Sequence, residues 1–364
     1  MFQFVFIGVF ATLLIFLSRD KRASWLSLIA YALIVYVASM QDSISMDFAA
    51  YVRLFDKIAT NERVGAFFSL SSRSGTVELG WYLLNYYLGK FVYSYHFVAL
   101  VATCIICFAI HVSLASFNSR WKWLSIFVFY FIYMPFFMSG IRQGVAISFF
   151  IIATVLYVKR HYLLCVTALF LGLLFHNSIV FSLVAFPLLS INDSYLERKK
   201  ISIVKYIGCF YVLFLLFSSQ IQLFLIDYLM PYFESNAASY SFYIGEIANV
   251  RFTFFNVLYR MINFSFLLLA FYHSKAILRQ FLLLGIFSEC LLLILGESGA
   301  MSRLAYYYTI FMVPCVALVP ECIRKKYIAY LFVVLTLLFT FHRFSSSLDS
   351  YLYKKFHEYH TIII

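Results

Sequence analysis

A chain of 364 residues that is 64% hydrophobic and only 12% charged cannot cover a soluble fold of its length with polar surface, since soluble domains carry about 25% charged residues. Its formal charge of +12 does not mark a nucleic-acid binder, because the basic residues sit in short turns and form no stripe on a soluble face. The composition, with a mean hydropathy of +0.89, specifies a polytopic membrane protein with no room for a sizeable soluble domain.

A hydrocarbon core about 30 Å thick takes roughly 20 apolar residues in helix, and a crossing backbone must satisfy its own hydrogen bonds, which selects helices. Hydropathy predicts spans at roughly 2–18, 24–40, 95–116, 123–138, 142–157, 162–175, 177–189, 204–219, 254–273, 281–295, 303–319 and 327–342. The fold expected is all-α: about 12 transmembrane helices in a single domain over 1–364, with outer connections at 41–94 and 220–253. The first span lacks a small-residue cleavage site and precedes a basic turn, so it reads as retained.

The first turn is Arg19-Asp20-Lys21-Arg22. Later ones are Arg120-Trp121-Lys122, Lys159-Arg160, Arg198-Lys199-Lys200, Lys275 to Arg279, and Arg324-Lys325-Lys326. All lie between odd and even spans, and Lys and Arg mark cytoplasmic loops. These six turns are therefore assigned to the cytoplasm and both termini to the outside. Segment 78–92 would invert every later loop if it crossed, so it is expected to be a re-entrant or interfacial helix. Phe48, Tyr51, Val52 and Phe55 share a helical face, which predicts an amphipathic helix over 47–60 on the outer surface.

The seven cysteines form no disulfide framework, and Cys104-Ile105-Ile106-Cys107 has metal-like spacing without a second ligand pair. Two small core residues are the simpler reading.

Ionisable residues inside spans cost about 2.5–3.5 kcal/mol each on insertion scales and usually face a bundle interior or a wet cavity. Here they gather toward the outer side. Arg142 opens the fifth span, His176-Asn177-Ser178 makes the sixth-to-seventh turn, Arg260 lies about two turns inside the ninth span, and Arg303 opens the eleventh. Glu78 starts the short helix, Asp47 precedes it, and Glu289 is mid-span in the tenth, where pairing with an arginine is expected. Thr253, Asn256, Tyr259, Arg260 and Asn263 share one face of the ninth span; Arg303, Tyr306, Tyr307 and Ile310 share one of the eleventh. Arginine forks suit phosphate oxygens, so Arg142, Arg260 and Arg303 are candidates to hold a polyanion such as a lipid pyrophosphate. The plainer alternatives are snorkelling arginines, a His that only closes a tight turn, and carboxylates that are solvated or cap a helix.

Five short motifs then carry a family resemblance over roughly residues 24–310: Asp47…Tyr51, Glu78-Leu79-Gly80-Trp81, Ile141-Arg142-Gln143-Gly144-Val145-Ala146, Phe175-His176-Asn177-Ser178, and Ser302-Arg303-Leu304-Ala305-Tyr306-Tyr307. In this order the chain resembles the EpsG and Wzy-type bacterial exopolysaccharide and O-antigen polymerases. Asp47 departs from the family pattern, with Ser45-Met46 before it and Phe48 after it. The resemblance implies a GT-C-like, metal-independent glycosyltransferase in the bacterial cytoplasmic (inner) membrane, its site facing the periplasm or exterior. It implies no cofactor and no nucleic acid. The implied partners are undecaprenyl-pyrophosphate-linked oligosaccharide, membrane lipid and a chain-length regulator protein. Glu78, Asp47 or His176 would act as base, with Arg142, Arg260 and Arg303 on the pyrophosphate. Tyr51, Gln143, Asn177, Asn256 and Tyr306 would bind sugar. A flippase or transporter of the same lipid-linked sugar and an O-antigen ligase are the competing functions. A transporter needs polar groups through the membrane and access from both sides, whereas the cytoplasmic halves of these spans are nearly free of charge.

Overall fold

A computed structural model describes residues 2–40, 47–60, 77–224, 254–295 and 299–348. The described residues are helical throughout apart from short connections, with no strand among them. The helices are α1 (Phe2–Leu17), α2 (Leu26–Ser39), α3 (Phe48–Ala59), α4 (Leu79–Phe91), α5 (Tyr95–Ala115), α6 (Lys122–Ser139), α7 (Ile141–Val158) and α8 (Tyr162–Phe175). There follow α9 (Ala185–Leu189), α10 (Asp193–Phe224), α11 (Phe254–His273), α12 (Ala276–Leu295), α13 (Gly299–Thr309), α14 (Met312–Cys322) and α15 (Lys326–Leu348). Two compact units result: residues 1–180 with 334–364, and residues 181–333.

Each expected span falls on helix. Six stretches are long and apolar enough to cross a bilayer: Tyr95–Ala115, Lys122–Ser139, Ile141–Val158, Asp193–Phe217, Arg303–Cys322 and Lys326–Ser346. Shorter apolar helices cover Gln3–Leu17, Leu26–Ser39, Tyr162–Phe175, Asn177–Leu189 and Val257–His273. The chain is thus an all-helical membrane protein.

Helix α6 is interrupted by one π-helical turn, Phe129–Tyr133. Pro135 follows in the next turn. Proline has no N–H to return to the carbonyl four residues back, so the hydrogen-bond ladder must shift register there. The expected span 177–189 differs as well. Asn177–Val184 winds as a 3-10 helix before α9 begins.

In the first unit, α3 presents Phe48, Tyr51, Phe55, Ile58 and Ala59 to the interior and keeps Arg53, Asp56 and Lys57 exposed. That is the amphipathic helix its periodicity predicts. Two glycines let α4 sit close to its neighbours. A Cβ at Gly89 would lie 2.7 Å from that of Ala59 on α3, and one at Gly80 would lie 2.8 Å from the Leu174 carbonyl on α8. Nothing larger than hydrogen fits at such approaches. Trp81, Tyr82 and Tyr95 fill the space between these helices.

The second unit corrects two turns. Arg279 lies inside α12, 1% exposed, rather than in a solvated cytoplasmic turn. Its Nη1 donates to the Asp193 carboxylate at 2.9 Å, and its Nη2 donates to the Ser274 carbonyl at 2.8 Å and to Glu197. Arg198, Lys199 and Lys200 occupy the opening turns of α10, not a loop. Both helices start earlier than hydropathy alone places them, and acidic residues at the head of α10 neutralise the arginine of α12.

Candidate functional site

Five chain segments of the first unit end near one another. Asp47 precedes α3, Glu78 precedes α4, Tyr95 begins α5, Arg142 stands in the first turn of α7, and His176 ends α8. The Gly80–Leu174 approach brings the head of α4 against the last turn of α8.

Glu78 has an extended backbone, φ −69° and ψ 143°, and its side chain makes no capping bond to α4. The carboxylate turns to Arg142 instead. Arg142 Nη1 donates to Glu78 Oε2 at 2.7 Å. The Glu78 side chain is 8% exposed and that of Arg142 27%. Arg142 Nε has no hydrogen-bond partner among the described residues. Below it, the guanidinium carbon lies 5.6 Å from the centre of the Tyr51 ring. Cation and ring attract at this range. Tyr51 is braced by an edge contact with Trp81 at 5.7 Å and a stacked one with Tyr95 at 6.3 Å.

Glu78 lies ahead of a helix too short to span, and burial pushes its carboxyl above the usual carboxylate range. The Arg142 charge and hydrogen bond pull it back down. The group is thus poised between two opposed influences.

Asp47 Oδ2 accepts from Ser139 Oγ at 3.4 Å, and Tyr95 lies within electrostatic reach of both Asp47 and Arg142. His176 Nδ1 faces the Ser178 amide at 3.2 Å and the Ser178 hydroxyl at 2.7 Å. Accepting from that amide uses the Nδ1 lone pair and helps start the 3-10 helix, so proton transfer by this ring would have to use Nε2. Asn177 is exposed and Gln143 is buried.

In the second unit Arg260 is 1% exposed, and its Nη1 stands 3.6 Å from Glu289 Oε2. This is the arginine partner expected for Glu289. Arg303 and Tyr306 are half-buried on α13, and Tyr307 is fully buried. The Asn256 backbone belongs to α11. The site residues thus fall into two sets: Asp47, Tyr51, Glu78, Arg142, Gln143, His176 and Asn177 in the first unit, and Asn256, Arg260, Arg303 and Tyr306 in the second.

Sequence reasoning did not find Trp81, Tyr95 or Ser139 as supports of this site. Ser139 sits three residues before Arg142, so adjacency offered a signal; Tyr95 reads as one more aromatic at a span end. Among the described residues no three His, Cys, Asp or Glu side chains come together as a metal-ligand set.

A family model described as the EpsG family matches residues 2–361. No curated protein and no solved structure matches the chain.

Proposed function

The chain belongs to the EpsG family, and on that premise we propose that it polymerises undecaprenyl-pyrophosphate-linked oligosaccharide repeat units at the outer face of the bacterial inner membrane. Family membership points to an exopolysaccharide-related polymerase; the lipid-linked substrate, the O-antigen, capsule or exopolysaccharide product and the sidedness are our reading. So are the twelve-span topology, the GT-C likeness and a chain-length regulator as partner.

The observation that carries the reading is the Glu78–Arg142 pair. Arg142 is partly exposed, and its Nη1 is bound to Glu78. A donor pyrophosphate would approach the exposed side of the guanidinium and compete with Glu78 for Nη1. The carboxylate released from the arginine is then a base at the place where the leaving group sits. The acceptor sugar hydroxyl attacks the anomeric carbon of the donor, its proton passes to Glu78, and the bond from that carbon to the pyrophosphate oxygen breaks. Arg142 stabilises the charge that develops on the leaving pyrophosphate. Asp47 and His176 are the alternative bases. Arg260 and Arg303 are proposed as further pyrophosphate ligands, and Tyr51, Gln143, Asn177, Asn256 and Tyr306 as sugar contacts.

The test is to incubate purified protein with a lipid-linked repeat unit and look for a ladder of longer glycans. A ladder that persists in chelator supports the metal-independent mechanism, and one restored only by magnesium overturns it. Translocation without elongation would assign a flippase, and transfer to a different acceptor a ligase. Sidedness is checked with an impermeant thiol reagent. Outside labelling at positions 47, 78, 142, 176 and 303 is expected, and outside labelling at position 199 would overturn the topology.

A further inference from the structure

In the second unit, the head of α10, the end of α11 and the segment leading into α15 bring basic groups to one end. The Tyr211 ring of α10 stacks on Phe264 of α11 at 3.6 Å, and Phe266 of α11 meets Phe332 of α15 at 4.9 Å. Tyr211 lies eleven residues beyond Lys200, Phe264 nine before His273, and Phe332 eight beyond Arg324. At about 1.5 Å per helical residue, these contacts set the three basic groups at similar heights. The side chains agree. Lys200 Nζ lies 5.2 Å from the centre of the Tyr272 ring, Tyr272 meets the His273 ring edge-on at 5.1 Å, and His273 is within electrostatic reach of both Lys200 and Arg324.

Among the described residues, acidic groups do not balance this cluster. Asp193 and Glu197 are drawn to the buried Arg279, and Glu197 is shared with Lys200, its Oε1 2.6 Å from Nζ. Around these groups Arg198, Lys199, Lys275, Lys325 and Lys326 are exposed, against Glu321 as the remaining acid. The Lys200 and Arg324 charges repel one another unless an anion joins them, and a neutral His273 ring can still donate a hydrogen bond to that anion. Directly beyond the cluster the surface turns apolar: Ile201 and Tyr206 on α10 are 55% and 66% exposed, and Tyr327 and Leu331 on α15 are 66% and 52% exposed. A basic crown above lipid-facing apolar side chains fits a molecule with an anionic head and acyl tails.

We propose that Lys200, His273 and Arg324 form a headgroup site for an anionic phospholipid of the cytoplasmic leaflet, with its acyl chains along the exposed faces of α10 and α15. Basic pockets between transmembrane helices on this side suit such headgroups. The proposal rests on assigning the basic turns to the cytoplasm, not on glycan polymerisation.

The probe is a short-chain phosphatidylglycerol or cardiolipin added to detergent-purified full-length protein, with phosphatidylcholine as reference. Native mass spectrometry reads the lipid retained. Wild-type protein is expected to retain the anionic lipid over phosphatidylcholine, and Lys200→Gln/Arg324→Gln to bind it about thirtyfold more weakly. Arg19→Gln/Arg22→Gln, which removes equal charge from the first unit, should bind as wild type. Elution as a single species shows that each variant is folded, and Lys200→Arg/Arg324→Lys should restore retention. Equal loss in both charge-removing variants would reduce the effect to net charge and overturn the site. So would equal retention of phosphatidylcholine, or full displacement by millimolar inorganic pyrophosphate, which would assign the cluster to free phosphate anions.

Discussion

Glu78–Arg142 in the first unit and Arg260–Glu289 in the second are both carboxylate–guanidinium pairs, yet they differ in reach and in length. The first has a direct hydrogen bond of 2.7 Å and an arginine side chain that is 27% exposed. The second has an N···O separation of 3.6 Å, and both side chains are nearly sealed, 2% and 4% exposed. A pair at a helix mouth can exchange partners with an incoming anion. A sealed pair inside the bundle keeps each charge tolerable for the other. A carboxylate–guanidinium pair therefore does not by itself say which of these two tasks it performs; its exposure does.

The largest expected effect follows from the open pair. Glu78→Gln keeps the shape and removes the base, and general-base assistance contributes about 10²- to 10⁴-fold. Ladder formation should fall by that factor while binding of the lipid-linked substrate stays. Arg142→Ala should lose activity comparably, and Arg142→Lys should recover only part because it lacks the planar fork. Undiminished activity of Glu78→Gln would move the base role to Asp47 or His176.

Next in size is the sealed pair. Removing one partner leaves an uncompensated buried charge, at a cost of about 3–5 kcal/mol, whereas removing both is often neutral. Arg260→Leu and Glu289→Leu should each lower the thermal midpoint sharply, and the double variant should regain most of it. Polymerisation by the double variant separates two roles for Arg260. Activity restored with stability assigns the arginine to the fold. A stable but inactive double variant assigns it to the pyrophosphate, as its place on the polar face of α11 suggests.

Much of this was legible in the sequence, because hydropathy and charge act locally. Helix positions followed apolar runs, and the amphipathic face of α3 followed its period. The motif residues Glu78 and Arg142 also meet directly, and His176 ends the helix whose last turn meets the head of α4. What was not legible depends on contacts between distant segments. Arg279 looks like a loop cation until Asp193 and Glu197, more than 80 residues earlier, are brought against it. The sequence places Glu78 at the head of a short helix but cannot show that its carboxylate ignores that helix and reaches α7. Nor does the sequence show that the Tyr51 ring packs beneath Arg142 and against Trp81 and Tyr95. Asn256 and the 41–46, 61–76 and 225–253 parts of the outer connections bear on site readings but lie outside the described side chains.

The open pair also predicts a pH dependence. A base must be unprotonated, so activity rises as pH passes through its pKa. Burial raises that of Glu78 above 4.5, which places the acid limb of kcat/KM above the ordinary carboxylate position. Arg142 is the opposing influence, so in Arg142→Ala the residual activity should have its acid limb moved further up. The limb of kcat, which reports the bound complex, should lie above that of kcat/KM, because a bound pyrophosphate draws Arg142 away and adds negative charge. A limb that stays in place in Arg142→Ala would show that Glu78 is not the titrating base.

The smallest expected effect tests Asp47 against Glu78. At 3.4 Å the Ser139–Asp47 contact is long for a hydroxyl–carboxylate hydrogen bond, whose usual range ends near 3.0 Å. A typical net contribution is about 1 kcal/mol, and a stretched bond gives less. Ser139→Ala should therefore change stability by less than about 1 kcal/mol and leave ladder formation close to wild type. Asp47→Asn discriminates more strongly. If Asp47 only steadies the head of α3, this variant should keep most activity, since an amide oxygen still accepts from Ser139. If Asp47 is the base, Asp47→Asn should be as inactive as Glu78→Gln, and Ser139→Ala, by leaving that carboxylate less restrained, should change kcat more than KM. Equal, modest losses in both variants would assign the pair to structure and leave Glu78 as the group that takes the proton.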